Sequence, residues 1–189
     1  MKLLQETIEQ RGTIINEDIL KVDSFLNHQI DCDLMEAMGK DFAEHFKDMG
    51  ITKVVTIESS GIAPAVFTAK ELHVPVIFLK KSEPSTMKNP VFTEAFSFTK
   101  NKKYTLCMER QFLQEDDNVL FIDDFLANGQ AFLSAENLIH QCGAKVAGIG
   151  IVIEKSFQKG RSEIEAKGYQ IYSLARIKKM APNHIEWAE

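Results

Sequence analysis

The sequence is poor in cysteine, carries no excess of positive charge and contains no long apolar run. It has three cysteines, Cys32, Cys107 and Cys142, and no two of them are spaced as CxxC. An odd number without this spacing disfavours a disulfide scaffold or a zinc knuckle, and it favours a reducing, cytoplasmic compartment. Lys and Arg number 22 against 27 Asp and Glu, a net charge of -5. Nucleic acid is therefore not an expected partner, because affinity for its backbone comes from clustered basic residues.

Signals for a membrane segment or a metal centre are also missing. The longest apolar run lies near residues 146–153 and is too short to cross a bilayer. The N-terminal segment MKLLQETIEQR has no apolar stretch behind its charges, so a signal peptide is not expected. The five histidines are scattered without ligand spacing, and we predict no metal site built from protein side chains.

What is present is an ordinary globular composition with an alternating pattern of helices and strands. The 189 residues are 44% hydrophobic, enough for a full core, and no linker or repeat divides residues 1–189, so we expect a single domain. Helical stripes cover residues 2–11, 33–48, 62–72, 132–142 and 161–167. Short apolar runs predict buried strands at residues 53–58, 75–80, 118–123, 145–154 and 170–175, and alternation predicts a strand at 91–99 that pairs with 104–110. This order predicts an α/β fold with a mainly parallel sheet covered by helices on both faces.

Ligands of such sheets bind beyond the carboxyl ends of the strands, and the string VLFIDDFLANGQA at residues 119–131 is the most informative junction there. The strand runs into Asp123 and Asp124, whose adjacent carboxylates need hydroxyl donors such as a ribose diol, or a cation. The backbone N–H groups from Ala127 to Ala131 then open a helix and form an anion site, with Gly129 allowing close approach. The alternative is that the acids only cap a loop, but a buried strand rarely ends in two charges. The spacing therefore predicts a site for a ribose 5-phosphate.

This string resembles the phosphoribosyl pyrophosphate motif of the type I phosphoribosyltransferases, in which a hydrophobic run, paired acids and a short phosphate loop follow one another. Many members have threonines in the loop, where this chain has Ala127, Asn128, Gly129, Gln130 and Ala131. The variant ANGQA resembles the members that act on xanthine. The resemblance extends over nearly the whole chain and includes residues 20–31, 56–66 and 148–158.

The resemblance implies a type I phosphoribosyltransferase fold with a small N-terminal hood, formed mainly by residues 1–33. It also implies transfer of a 5-phosphoribosyl group from phosphoribosyl pyrophosphate to xanthine, giving XMP and pyrophosphate in purine salvage. Asp123 and Asp124 would be the catalytic acids, and residues 127–131 would hold the 5-phosphate. The alternatives are a hypoxanthine/guanine phosphoribosyltransferase, or a non-catalytic regulator of purine genes that kept this fold.

A second anion site is predicted at the loop of Glu58, Ser59, Ser60 and Gly61, which joins a strand to a helix. A helix N-cap by one of the serines is the alternative, and it would be favoured if this loop stood alone. The resemblance implies that the loop holds pyrophosphate, and that Lys80 and Lys81 at the end of the next strand lie near it. A solvated strand end is the alternative for these lysines. Residues 82–100 are either a lid over the substrate or a surface hairpin.

The base site is predicted mainly at Lys155, which follows the strand at residues 145–154. An ammonium group only donates hydrogen bonds, so it matches the carbonyl oxygens of a 6-oxopurine and not the amino group of adenine. The alternative is a simple surface lysine. The resemblance adds Leu20 and Asn27 of the hood as residues that contact xanthine. It also implies a homodimer, Mg²⁺ arriving with the substrate and no tightly bound cofactor.

Overall fold

The computed structural model describes residues 1–82, 85–97, 102–182 and 184–188. Five α-helices lie in these ranges: α1 (Lys2–Arg11), α2 (Cys32–Phe46), α3 (Ile62–Leu72), α4 (Gln130–Gln141) and α5 (Gly160–Glu165). The strands in the same ranges are β1 (Thr13–Ile14), β2 (Leu20–Lys21), β3 (Lys53–Ile57), β4 (Val76–Leu79), β5 (Pro90–Ser97), β6 (Lys102–Glu109), β7 (Asn118–Leu126), β8 (Lys145–Lys155), β9 (Ile171–Ala181) and β10 (His184–Trp187). None of the helices in the described part is long and apolar enough to span a membrane.

The central sheet has six strands in the order β10-β9-β8-β7-β3-β4. Neighbouring strands from β4 to β9 are parallel, and only β10 pairs in the antiparallel sense at the edge beside β9. The predicted α/β class with a mainly parallel sheet is therefore confirmed. The carboxyl ends of β3, β4, β7 and β8 meet at one edge, which is where the candidate site residues lie.

Each face of the sheet carries its own hydrophobic core, because successive residues of a strand point to opposite sides. On β7, Leu120 and Ile122 pack with α2 and α3, whereas Val119 and Phe121 pack with α4 and the β5–β6 hairpin. A strand with both faces covered reads as a continuous apolar run, which is why VLFI at residues 119–122 was recognisable in the sequence.

The predicted strand at residues 91–99 is found as β5, which ends at Ser97, and residues 98 and 99 lie outside the described part of the chain. Its predicted partner is β6, and the two strands form an antiparallel hairpin. The predicted loop or lid at residues 82–100 overlaps this hairpin, and residues 83, 84 and 98–100 of it are not described.

The N-terminal segment packs on the same face of the sheet as α2. Its elements are α1, the short β1–β2 pair and a π-helical turn at Asp23–Asn27. Arg11 ties them together, since its guanidinium donates to Asp31 Oδ2 at 2.5 Å and to the Ser24 carbonyl oxygen at 2.7 Å. The same guanidinium carbon lies 5.4 Å from the centroid of the Phe25 ring. Leu20 and Asn27, the predicted base-contacting residues, are therefore carried by this cross-linked segment.

Candidate active site

Asp123 and Asp124 lie within the last four residues of β7, which continues to Leu126 instead of ending at residue 123 as predicted, and their carboxylates differ in exposure. Asp123 is only 7% exposed, while Asp124 is half-buried. Oδ1 of Asp123 accepts a hydrogen bond of 3.0 Å from the N–H of Asp124, and Oδ1 of Asp124 accepts one of 2.9 Å from the N–H of Phe125. Asp124 is therefore the more accessible of the two carboxylates.

Electrostatics makes this acidic pair unusual. Burial raises the pKa of Asp123 well above its ordinary value, and the negative charge of Asp124 raises it further. Burial also raises the pKa of Asp124. The positive charge of Lys81 opposes both shifts, which places its ammonium group near the pair. Two carboxylates that repel each other in a buried place would be stabilised by hydroxyl donors or a cation.

The loop after β7 has the form of an anion site. Residues 127–131 lead into α4, whose N-cap residue Gly129 has no side chain to cap the helix, and Asn128 Oδ1 makes only a long contact of 3.4 Å with the N–H of Gln130. Gly129 has a φ of 81°, in the left-handed region that favours glycine. A backbone hydrogen bond of 2.9 Å from the N–H of Gly160 to the Ala127 carbonyl oxygen holds this loop in place. Uncapped N–H groups at the start of a 12-residue helix can bind a phosphate.

The loop at residues 58–61 joins β3 to α3 on the same edge. The peptide bond between Glu58 and Ser59 is cis. The N-cap residue of α3 is Gly61 and no side chain caps it, so the alternative of a serine cap is wrong. A Cβ at Gly61 would lie 2.2 Å from Thr56 Oγ1 and 3.2 Å from Asp123 Oδ1, so the loop needs glycine here and closes over the acid. This close approach explains the low exposure of Asp123.

The two predicted lysines diverge. The N–H of Lys81 donates to Glu58 Oε1 at 2.6 Å, and this bond joins the end of β4 to the 58–61 loop. The positive charge of the Lys81 ammonium lowers the pKa of Asp123 and of Asp124. The ammonium of Lys80 instead lies 4.8 Å from the centroid of the Phe78 ring. Successive residues in extended chain point to opposite sides, so the structure brings Lys81 to the acidic pair and leaves Lys80 beside Phe78.

Lys155 lies at the end of β8, facing the N-terminal segment. Its Nζ donates to the Asp18 carbonyl oxygen at 2.5 Å and lies 5.5 Å from the centroid of the Phe125 ring. Burial lowers the pKa of Lys155, and the charges of Asp18 and Asp124 oppose that shift. Lys155, Asp124 and the segment that carries Leu20 therefore border one region. Leu20 is buried and Asn27 is exposed.

Sequence reasoning missed Phe125, although its position directly after the two acids was a signal. Its half-buried ring lies under the Lys155 ammonium, and a flat aromatic surface next to a hydrogen-bond donor suits a purine. It also missed the role of Glu154, which is 1% exposed. Although burial alone would raise its pKa, hydrogen bonds from Arg161, Ser173 and Ser156 lower the pKa of Glu154 to about 2.

Comparison with known proteins gives three consistent findings. The family model described as "Phosphoribosyl transferase domain" matches residues 22–182. The xanthine phosphoribosyltransferase of Listeria monocytogenes is 53% identical over 190 aligned residues, covering 100% of this chain and 99% of that protein. That of Clostridium botulinum is 54% identical and covers 98% of both. Among solved structures, the adenine phosphoribosyltransferase of Thermoanaerobacter pseudethanolicus superimposes with a TM-score of 0.74 at 20% identity, over 92% of this chain and 99% of that one.

Proposed function

The chain belongs to the phosphoribosyltransferase family, and we propose that it is a pentosyltransferase that makes XMP and pyrophosphate from xanthine and phosphoribosyl pyrophosphate in purine salvage. The observation that carries the proposal is the meeting of Asp124, Lys155 and the 127–131 loop at one edge of the sheet. An acid for the sugar, an amide cradle for its phosphate and a cation for an oxopurine are the three groups that such a transfer needs.

The sugar phosphate is held by the end of β7 and the start of α4. Asp124, together with the exposed part of Asp123, accepts hydrogen bonds from the ribose hydroxyls. The N–H groups of residues 127–131 bind the 5-phosphate, helped by the positive end of the α4 dipole. The amide side chains of Asn128 and Gln130 take the place of hydroxyl groups. In the structure Asn128 Oδ1 already lies 3.4 Å from the N–H of Gln130, a weak contact that a phosphate oxygen can replace.

Pyrophosphate is held by Glu58, Ser59, Ser60 and Gly61 through their loop, with Lys81 supplying positive charge. Lys80, whose ammonium lies beside Phe78, adds only a more distant positive charge. The C1–O bond of the sugar breaks and pyrophosphate leaves with the electron pair. A purine nitrogen attacks the oxocarbenium-like carbon and loses its proton to solvent. The chain needs no nucleophile for this reaction. It positions the reactants and stabilises the charges that develop on the sugar and on the leaving group.

Xanthine is held between the N-terminal segment and the end of β8. The Lys155 ammonium donates to the carbonyl oxygens of the base, and the Asn27 amide offers both a donor and an acceptor. Leu20 and the Phe125 ring supply apolar surface. Adenine is a poor match because its 6-amino group is a donor facing another donor. Guanine and hypoxanthine share the 6-oxo group, so the 2-oxo group must supply the preference for xanthine.

We extend the proposal to the conditions of the reaction. Mg²⁺ arrives as part of the phosphoribosyl pyrophosphate substrate, which fits the mutual repulsion of Asp123 and Asp124, and no cofactor is tightly bound to the chain. The proposed compartment is the cytoplasm, which fits three cysteines that form no disulfide. A homodimer is proposed because Phe78 and Phe112 are exposed beside an apolar groove of about 300 Å³. Sedimentation analysis tests the dimer.

The decisive experiment measures initial rates with Mg²⁺, phosphoribosyl pyrophosphate and each of four bases: xanthine, guanine, hypoxanthine and adenine. We expect the highest kcat/KM for xanthine, with XMP identified by chromatography, and no product from adenine. A higher kcat/KM for guanine or hypoxanthine would replace the proposal by that of a hypoxanthine/guanine enzyme. Absence of turnover with every base, together with binding to DNA or RNA, would indicate a regulator instead.

A further inference from the structure

The β5–β6 hairpin is joined to the strand end that carries the two lysines. The N–H of Lys80 donates to the Cys107 carbonyl oxygen and the N–H of Cys107 donates to the Lys80 carbonyl oxygen, both at 2.9 Å. On the other side, Glu58 accepts from the N–H of Lys81. The backbone that presents Lys81 is therefore fixed between the hairpin and the 58–61 loop, while its long side chain is exposed.

One residue of the hairpin reaches this side chain. Leu106 and Met108 are buried on the inward face of β6, and Tyr104 continues the same row toward the candidate site. The Nζ atom of Lys81 lies 5.8 Å from the centroid of the Tyr104 ring. Burial raises the pKa of Tyr104, and the charge of Asp123 raises it further, which places the ring near the acid as well.

We propose that Tyr104 is a positioning residue for phosphoribosyl pyrophosphate, because the face of its ring holds the Lys81 ammonium beside the leaving pyrophosphate. The inference rests on the proposed function and adds to it a residue that the phosphate motifs do not contain. Tyr104 acts through Lys81 and need not touch the substrate.

The physical need for such a residue follows from the surroundings of Lys81. A lysine side chain loses much rotamer freedom when it is fixed in one position. The negative charges of Asp123 and Asp124 interact with this ammonium and compete with pyrophosphate for it. The negative face of an aromatic ring binds a cation without neutralising it, so Tyr104 gives the ammonium a resting place from which it can still bind an anion.

The test compares four variants: Tyr104→Leu, Tyr104→Phe, Lys81→Gln and the double variant Tyr104→Leu with Lys81→Gln. Tyr104→Leu is expected to raise the KM for phosphoribosyl pyrophosphate roughly two- to five-fold, the range of a cation–π contact, and to leave the KM for xanthine unchanged. Tyr104→Phe keeps the ring and is expected to match the wild type. In the Lys81→Gln background, Tyr104→Leu is expected to have no further effect.

Phe92 provides a matched control, because it is a 40% exposed aromatic residue on the same hairpin. Phe92→Leu should change neither KM, and the Tm of every variant is recorded. If Tyr104→Leu does not fold, Tyr104→Met takes its place, since the longer, flexible methionine side chain adapts to the space left by the ring and offers no aromatic face.

Two results would overturn the inference. One is that Tyr104→Leu raises the KM for phosphoribosyl pyrophosphate by the same factor in the wild type and in the Lys81→Gln variant. The other is a KM of Tyr104→Leu that equals that of the wild type while Lys81→Gln raises it. Failure of the proposed function looks different: the wild type then makes no XMP, or Lys81→Gln leaves the KM for phosphoribosyl pyrophosphate unchanged.

Discussion

Asp123 and Asp124 are joined by a hydrogen bond of 3.0 Å from the backbone N–H of Asp124 to the Oδ1 atom of Asp123. The bond fixes two carboxylates side by side, and the 58–61 loop closes over the first of them. Neither acid has an ion-pair partner within 4.0 Å among the described residues. The arrangement therefore carries a stability cost in the absence of substrate, and this cost can be measured.

Asp123→Asn is expected to stabilise the substrate-free protein at pH 7.5. Because the pKa of Asp123 is raised in the folded state, its contribution to stability is full below its unfolded pKa and is lost as the pH rises through the folded pKa. Removing the charge should raise Tm by about 2–4 °C, the effect of 1 kcal/mol in a chain of this size. Calorimetry from pH 7.5 down to pH 4 should show that the difference in Tm between Asp123→Asn and the wild type becomes smaller. A Tm of Asp123→Asn below that of the wild type at pH 7.5 would contradict the claim that the two carboxylates destabilise the substrate-free protein.

The double variant Asp123→Asn with Asp124→Asn should lose activity while it keeps its fold. An amide accepts fewer hydrogen bonds than a carboxylate and carries no charge to stabilise an oxocarbenium-like carbon. We expect kcat to fall by about 100-fold or more. Circular dichroism checks the fold, and Asp116→Asn, in the turn before β7, is a control that should retain full activity. Wild-type rates in the double variant would refute the catalytic assignment.

Lys155→Met should weaken the binding of xanthine and leave phosphoribosyl pyrophosphate binding unchanged. Methionine keeps most of the apolar stem over Phe125 but removes the charged donor. A hydrogen bond to a charged group contributes about 1.5–3 kcal/mol, so we expect the KM for xanthine to rise by at least about ten-fold. Steady-state rates with each substrate varied in turn measure both constants. Lys159→Met, at an exposed lysine four residues on, is the matched control, and an unchanged xanthine KM in Lys155→Met would remove Lys155 from the base site.

Much of the fold was accessible from the sequence because its signals are local. Parallel strands buried on both faces read as apolar runs, so the strands that carry Asp123 and Lys155 were placed correctly. The sequence did not predict the edge strand β10, because this strand has only four residues and is partly exposed. Residues 14–30 show neither the helical nor the strand periodicity of apolar residues. Their two-residue strands and single π-helical turn are too short to produce such a pattern.

Tertiary contacts explain what the sequence could not predict in the site. The cover over Asp123 depends on Gly61, and the two residues lie more than sixty positions apart. The pKa of Glu154 depends on Arg161 from α5 and Ser173 from β9, which only the folded sheet brings together. The divergence of Lys80 and Lys81 depends on the docking of the hairpin at Cys107.

Glu154→Gln should destabilise the protein because it breaks a buried ion pair with Arg161. The pKa of Glu154 is about 2 in the fold against an ordinary value of 4.5. The resulting stability, about 3 kcal/mol, is fully present above pH 4.5 and is lost as the pH falls toward 2. Urea unfolding at pH 7 should show this difference between variant and wild type, and the difference should narrow below pH 4.5. Glu165→Gln, which removes an exposed partner of Arg161, should have little effect, and equal losses in both variants would contradict a special role for Glu154.

Gly129→Ala separates the cost of a left-handed backbone from the loss of a phosphate site. Gly129 has a φ of 81° and Gly168 a φ of 91°, so alanine at either position should cost about 1 kcal/mol and lower Tm by about 2–4 °C. A Cβ at Gly129 also meets the Gly160 carbonyl oxygen at 3.3 Å, whereas a Cβ at Gly168 meets nothing within 4 Å.

Only the change at Gly129 should therefore turn the N–H groups of the 127–131 loop away from the 5-phosphate. We expect Gly129→Ala to raise the KM for phosphoribosyl pyrophosphate by about ten-fold or more, since small displacements of positioning groups have large effects, while Gly168→Ala keeps the wild-type KM. Because both variants bear the same backbone strain, a difference in KM between them reports on the loop alone. If both lose stability and neither changes this KM, the amides of the loop do not hold the phosphate.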